Sequence, residues 1–303
     1  MANSEVLPRP QWQAKIDILI ISSTFLLPYR FQRSAFFNMA NTVTLFEYLQ
    51  QGLLRHPSFD TSPGGNTTAT NYNYTQIHRV DKWPEFNIDT ITTEFAAILN
   101  GARIPNEMPP NTPPRHVNSE DAVRVRAHSY LTNRVVRALR SGFNFIANTG
   151  QARNFKRLAY DVGSLACTQH GFPDFAVYDT ADTNSKTRRN LVPGDAKVSW
   201  KWLAAWRDSN RGHEKKEYKQ VLSQLNFYAK RNKTRYSFVL TNREFVAIQR
   251  LDVYGHLKVS DPIPWDARGT LQSPRLTVPL AIWYLTMLAA RKDPDYSDGA
   301  YLI

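Results

Sequence analysis

Apolar residues recur along this chain with two different periods, and the changes of period mark its elements. Across 118–142, "NSEDAVRVRAHSYLTNRVVRALRSG", Val123, Ala127, Leu131, Val135 and Ala138 return every three to four residues, the spacing of one helical face. Asn118 and Ser119 are cap-type residues, acids fill the first turn, and Gly142 is expected to end the helix. The period then falls to two, so "NFKRLAYDVG", "PDFAVYD" and "LVPGDAKVSW" read as strands. "HEKKEYKQVLSQLNFYAKR" returns to helical spacing, with Tyr218, Val221, Leu222, Leu225 and Tyr228 on one side. "RYSFVLTNREFVAIQRLDV" reads as two strands with a tight turn near Thr241 and Asn242. Helix, three strands, helix, two strands predicts an α/β fold, a mixed sheet flanked by helices.

The remaining chain is less regular. Residues 33–54 and 86–102 read as helices, the second with Gly101 near its C-cap. Between them, 56–75 is rich in Gly, Asn, Thr and Pro and reads as a long loop or disordered insert. The prolines from Pro105 to Pro114 cannot be helix interior and mark a linker. The division expected is a mostly helical accessory region with long loops, 1–115, followed by an α/β domain with a C-terminal helix, 116–303. That last helix, in the uncharged run 276–290, is shorter than the roughly 20 residues needed to span a bilayer. The apolar run 16–27 contains Asp17 and has no signal-type cleavage site. A soluble intracellular protein, nuclear or cytoplasmic, is therefore expected, while oligomeric state is not legible.

Charge changes this picture. The chain of 303 residues carries a formal +12, and between Lys186 and Arg235 fourteen Lys/Arg face four Asp/Glu. So local a surplus points to an anionic partner, nucleic acid in particular, or else to a solvated charged face. Cys167 is the single cysteine, which excludes an internal disulfide and a cysteine-based zinc site. A structural thiol is the simpler reading of it than a nucleophile.

Within the basic segment stand acids that need explaining. Residues two apart on a strand share a face, so Asp195 and Lys197 point together while Ala196 and Val198 point away. Asp174 lies one strand earlier, with Phe175 opposite it. If these strands pair, two carboxylates and an ammonium converge. Hard cations such as Mg²⁺ take oxygen ligands, and one or two carboxylates with a substrate phosphate suffice. A salt-bridged strand pair at a sheet edge would use the same residues.

Pro173-Asp174 followed by Asp195-Ala196-Lys197 resembles the signature of the PD-(D/E)XK nuclease superfamily, and the order of elements is similar to its restriction-endonuclease-like core. Gln224-Leu225-Asn226-Phe227-Tyr228 resembles the Q-x-x-x-Y element of the subgroup related to bacterial recombination exonucleases. "GDAKVSWKW" and "YSFVLTNREFVAIQRL" are similar to segments of fungal nuclease-like domains. The resemblance covers roughly 116–255. It implies a metal-dependent nuclease using Mg²⁺ or Mn²⁺ and acting on DNA ahead of RNA. Asp174, Asp195 and the Ala196 carbonyl would be metal ligands, Lys197 the catalytic lysine, and Glu120 an additional acid. Gln224 and Tyr228 would line the site.

Other readings stand beside these. Glu120 also suits a first-turn acid favoured by the helix dipole, and Gln224 and Tyr228 suit a core-edge polar residue and a packed aromatic. Trp200, Trp202 and Trp206 suit packing better than base stacking. Lys201, Arg207, Arg211, Lys215, Lys216 and Lys219 are candidate phosphate contacts. The superfamily includes members without catalysis, so a nucleic-acid-binding or interaction module with the fold but no turnover is the alternative. A factor exported to act in another cell is a third reading.

Overall fold

The computed structural model describes residues 41–58, 65–66, 70–106, 115–166, 173–184, 186–252 and 254–292, all within one compact unit. In chain order the elements are β1 (Thr42–Thr44), α1 (Leu45–Gln50), β2 (Arg79–Lys82), α2 (Ile88–Glu94), α3 (Ala96–Gly101) and β3 (Arg103–Pro105). There follow α4 (Glu120–Ala127), α5 (Asn133–Asn148), β4 (Leu158–Val162), β5 (Phe175–Asp179), β6 (Gly194–Lys197) and α6 (Gly212–Arg231). The chain closes with β7 (Tyr236–Thr241), β8 (Glu244–Arg250), β9 (His256–Val259), β10 (Ile263–Pro264) and α7 (Val278–Ala290).

The main sheet runs β2-β9-β8-β7-β6-β5-β4, with β10 against β8. β6 and β7 are parallel, joined by α6, and β2 runs parallel to β9; the other neighbours are antiparallel. This is the expected mixed α/β sheet flanked by helices, with every predicted strand present. Its edge strand β2 comes from the region expected to be accessory, and α1 to α3 pack in the same hydrophobic core as α5 and α7. Among the described residues, packing therefore draws no seam at 115.

Alternation divides the sheet into two faces. Phe175, Val177, Ala196, Val198, Phe238 and Leu240 point into the larger core, against α1, α3, α5 and α7. α7 is buried on nearly every side, which is what an uncharged helix without a polar stripe requires. The intervening residues point to α6: Val239, Val246, Ile248 and Val259 meet Tyr218, Val221, Leu222, Leu225 and Tyr228.

Three expected boundaries differ. In 33–54, the described part is helical only over Leu45–Gln50. Thr42-Val43-Thr44 is β-branched and pairs with β3, after which the Thr44 hydroxyl accepts from the Glu47 N–H at 3.1 Å and starts the helix; 33–40 lies outside the described residues. The helix over 86–102 is broken at Phe95, whose ψ of 19° leaves the helical region while its ring packs edge-on against Trp283 and Tyr284. Finally, Gly142 does not stop its helix. It lies inside α5, where a Cβ would meet Trp283, Leu45 and Ile98 at ordinary contact distances, and the helix runs on to Asn148. A π-helical turn at His128–Thr132 joins α4 to α5. Of the linker, 107–114 lies outside the described residues, as does Cys167.

Candidate active site

The site begins where β5 and β6 part. Only one register pair, Phe175 with Gly194, joins these strands, and side chains take over the pairing on either side of it. Asn190, fully buried, donates to the Phe175 carbonyl at 2.9 Å and accepts from the Val177 N–H at 3.0 Å. Beyond the pair, Asp174 Oδ2 accepts from the Ala196 N–H at 2.8 Å. The carboxylate thus stands where a strand carbonyl would, and the backbone donor is satisfied.

Two glycines permit this. A Cβ on Gly194 would lie 2.0 Å from the Phe238 ring. On Gly163, one would fall 1.5 Å from the Pro173 carbonyl oxygen; the Gly163 N–H donates instead to the Asp174 carbonyl at 2.9 Å, fixing the backbone that aims Asp174.

Asp195 and Lys197 share the α6 face of β6, as alternation requires, and form a close ion pair through Asp195 Oδ2 and Lys197 Nζ. Both are buried, at 3% and 4% exposure. Lys197 Nζ also lies 3.5 Å from Glu120 Oε2, and Glu120 Oε1 lies 3.3 Å from Lys201 Nζ. Glu120 is the first residue of α4, whose N-cap Ser119 accepts from the Ala122 N–H at 3.1 Å. One turn on, Arg124 lies 3.6 Å from Asp174 Oδ1. From α6, Gln224 Nε2 makes a long contact of 3.4 Å to Asp195 Oδ1 and donates to the Tyr228 hydroxyl at 3.0 Å. The structure therefore brings together Glu120, Asp174, Asp195, Lys197, Gln224 and Tyr228. A cleft of about 460 Å³, lined by Arg124, His128 and Asp174 among others, opens beside Asp174.

Burial governs the electrostatics, since the three acids Glu120, Asp174 and Asp195 are matched by Lys197, Lys201 and Arg124. Burial pushes the Asp195 carboxyl up to about 7, with the Asp174 charge adding to the rise and Lys197 opposing it. Burial also raises Asp174, against the Ala196 N–H and Lys197. Burial alone would lower Lys197, yet Asp195, Glu120 and Asp174 together hold its ammonium above the usual lysine value. Acids that stay high beside a lysine are acids that would accept a further cation or a proton. The donor set available is all oxygen, which suits a hard divalent ion. Among the described residues no three His, Cys, Asp or Glu side chains form a ready-made metal cage, so protein ligation would rest on Asp174 and Asp195, with the Ala196 carbonyl beside them.

The expected phosphate contacts divide. Lys201 is tied to Glu120. Arg207 donates to the Val80 carbonyl at 2.9 Å and Lys219 to the Ile77 carbonyl at 3.1 Å, so both fasten the β2 segment to the α6 side. Arg211 pairs with Glu214 at 3.0 Å, Lys216 sits 5.4 Å over the Tyr74 ring, and Lys215 is exposed on α6. Of the tryptophans, Trp202 stacks on Tyr218 in the smaller core; Trp206 packs against that core and Trp200 against the larger one.

Two participants lie in the segment read as a loop. Tyr72, 8% exposed, has its hydroxyl raised by burial and by the Asp195 charge. Asn66 donates to Glu217 Oε2 from its backbone at 2.8 Å and from its side chain at 2.9 Å, and to the Lys201 carbonyl at 3.0 Å. No hydrophobic period announces these residues. Arg124 could have been found, since four residues after Glu120 places it on the same helical face.

No family model, curated protein or solved structure matches this chain.

Proposed function

We propose that this chain hydrolyses phosphodiester bonds, in DNA ahead of RNA, with Mg²⁺ or Mn²⁺ as cofactor, and that it belongs with the PD-(D/E)XK nucleases. One observation carries the reading: Asp174, Asp195 and Glu120 converge on a single buried lysine where two strands separate, and two of the acids remain poised for added positive charge. Support for the family comes from the element order α5, β4, β5, β6, α6, β7, with an antiparallel trio followed by a parallel strand. A nuclear or cytoplasmic location accords with such a substrate.

Asp174, Asp195 and the Ala196 carbonyl would hold the ion, with Glu120 at the mouth. When bound, the ion supplies charge neutralisation at the phosphoryl group and a more acidic water. The lysine ammonium, held cationic by its acids, orients the attacking water and stabilises charge developing on the phosphoryl oxygens. Attack forms a phosphorus–oxygen bond from water and breaks the ester bond. The water's proton is lost and the departing oxygen gains one, leaving a phosphomonoester and a hydroxyl end. Gln224 positions Asp195 and, with Tyr228, lines the approach.

The test compares cleavage of single- and double-stranded DNA and RNA with Mg²⁺, Mn²⁺ and chelator, for wild type, Asp195→Asn and Lys197→Ala. Metal-dependent cleavage should fall by at least roughly a hundredfold in each variant, as removal of one preorganised charge-stabilising group does. Equal cleavage in all three proteins would end the proposal. Salt-dependent binding without cleavage in wild type would favour the non-catalytic module.

A further inference from the structure

A second concave surface lies at the C-terminal end of α6. This groove of about 670 Å³ is lined by Asn71, Asn226, Phe227, Lys230, Lys233 and Tyr254, among others. Its aromatic wall continues into the acidic site. The Phe227 ring lies 5.8 Å from Tyr72 and 6.0 Å from Tyr228, and Tyr228 is bonded through Gln224 to Asp195. The residues expected to bind phosphate lie elsewhere, and this groove was not among the sequence-based expectations.

Cations in the last turn of a helix are ordinary, because they answer the helix dipole. Lys233 is not explained that way. α6 ends in a Schellman motif, with the Thr234 N–H donating to the Ala229 carbonyl at 2.9 Å and the Lys233 N–H to the Lys230 carbonyl at 3.2 Å. The left-handed position of that motif usually falls to glycine, since a Cβ is penalised there. Here it is a lysine with φ of 49°. Arg189 holds the conformation in place, donating to the Asn232 and Lys233 carbonyls, both at 2.6 Å. Glycine would satisfy this turn more readily than lysine, so what the lysine adds here is its cationic side chain at the groove.

Two further features narrow the ligand. The Asn226 side chain lines the groove, and its buried Oδ1 has no hydrogen-bond partner among the described residues. A phosphate, which offers only acceptors, cannot serve it; a base N–H can, once the amide turns out of its buried position. Tyr254, which lines the same groove, is 75% exposed and offers an open ring face. Cations for phosphate, an acceptor for a base edge and an open aromatic face are the requirements of an unpaired strand. A duplex hides its base faces and would meet only the lysines.

We infer that this groove binds single-stranded nucleic acid, with phosphates on Lys230 and Lys233 and a base on Tyr254. The choice of ligand rests on the nuclease reading; the geometry of the groove does not. The experiment measures fluorescence anisotropy of labelled oligothymidylate, oligouridylate and a DNA duplex with the full chain in chelator, so that binding is read without cleavage. Single strands should bind more tightly than duplex, and the DNA and RNA arms identify the preferred sugar. Tyr254→Ala should weaken single-strand binding by roughly tenfold and leave duplex binding unchanged. Replacing Lys230 by Ala and Lys233 by Gly should lower the slope of log affinity on log salt by about 0.7 per lost contact. Lys233→Gly alone should also raise Tm, by roughly 2 °C, while weakening binding, which a merely structural lysine would not do. Unaltered affinity in these variants, equal losses for duplex and single strand, or no oligonucleotide binding at all would overturn the inference. Binding as expected with no metal-dependent cleavage would sink the nuclease reading alone.

Discussion

The two faces of the central sheet solve the problem of burying ionisable groups in opposite ways. On the face covered by α5 and α7, His56 is buried among aromatic rings, 5.3 Å from Tyr130 and 5.2 Å from Trp265, and neither ring nitrogen has a partner among the described residues. Burial and then the nearby Arg126 charge lower its pKa to about 4, so it is kept neutral. On the α6 face, Asp195 and Lys197 are as deeply buried, yet they are paired and drawn toward further charge. Neutralising a group is the cheaper solution for a core. Three acids near a buried lysine, where apolar residues would pack, are weak evidence for stability.

The contrast can be broken most forcefully at Lys197. Lys197→Ala leaves the buried Asp195 without its cation, and urea unfolding near neutral pH should show a loss of about 3–5 kcal/mol. Asp195→Leu combined with Lys197→Met should restore most of it while remaining inactive. If the double variant stays as unstable as the single one, the pair is a structural element and the comparison fails.

His56 gives the next largest effect. Its folded pKa lies below its unfolded value, so the folded state binds fewer protons and loses stability as pH falls from about 6.5 toward 4. The full penalty is roughly 2–3 kcal/mol. His56→Phe keeps a ring between Tyr130 and Trp265 and should flatten that limb of the stability profile; an unchanged acid limb would show that the histidine is not held neutral. Gly194→Ala tests the strand junction itself. Its Cβ would run into the Phe238 ring, and overpacking of this kind costs about 1–3 kcal/mol. Asn66→Ala probes the smallest effect, about 1 kcal/mol or a little more from the lost side-chain bonds to Glu217 and Lys201, read by thermal denaturation.

These cases also show what a linear sequence discloses. Alternation placed Asp195 and Lys197 on one face, and helical spacing put Gln224 one turn from Tyr228, because both depend only on local geometry. The insert around Asn66 and Tyr72 gave no signal, since its place depends on α6 rather than on any period of its own. β2 and β9 were missed for the same reason: each is four residues long and is defined by its partner. The cations were misleading in a different way. Lys219 and Arg207 satisfy backbone carbonyls, whereas Lys233, placed at a helix end, is the non-glycine residue with a left-handed backbone among the described residues.

The contact between Asp174 and the Ala196 amide has one more consequence. Along most of the sheet, amide protons are shielded by carbonyls that never ionise; the edge amides of Val162 and His256 and this central one are exceptions, each held by a carboxylate. This one is shielded by a titrating group, so its rate of exchange with deuterium becomes a natural gauge of the charge on Asp174. Adding a divalent ion or a proton should alter that rate while leaving the neighbouring amides of β7 undisturbed, giving an optical-label-free readout at the centre of the molecule.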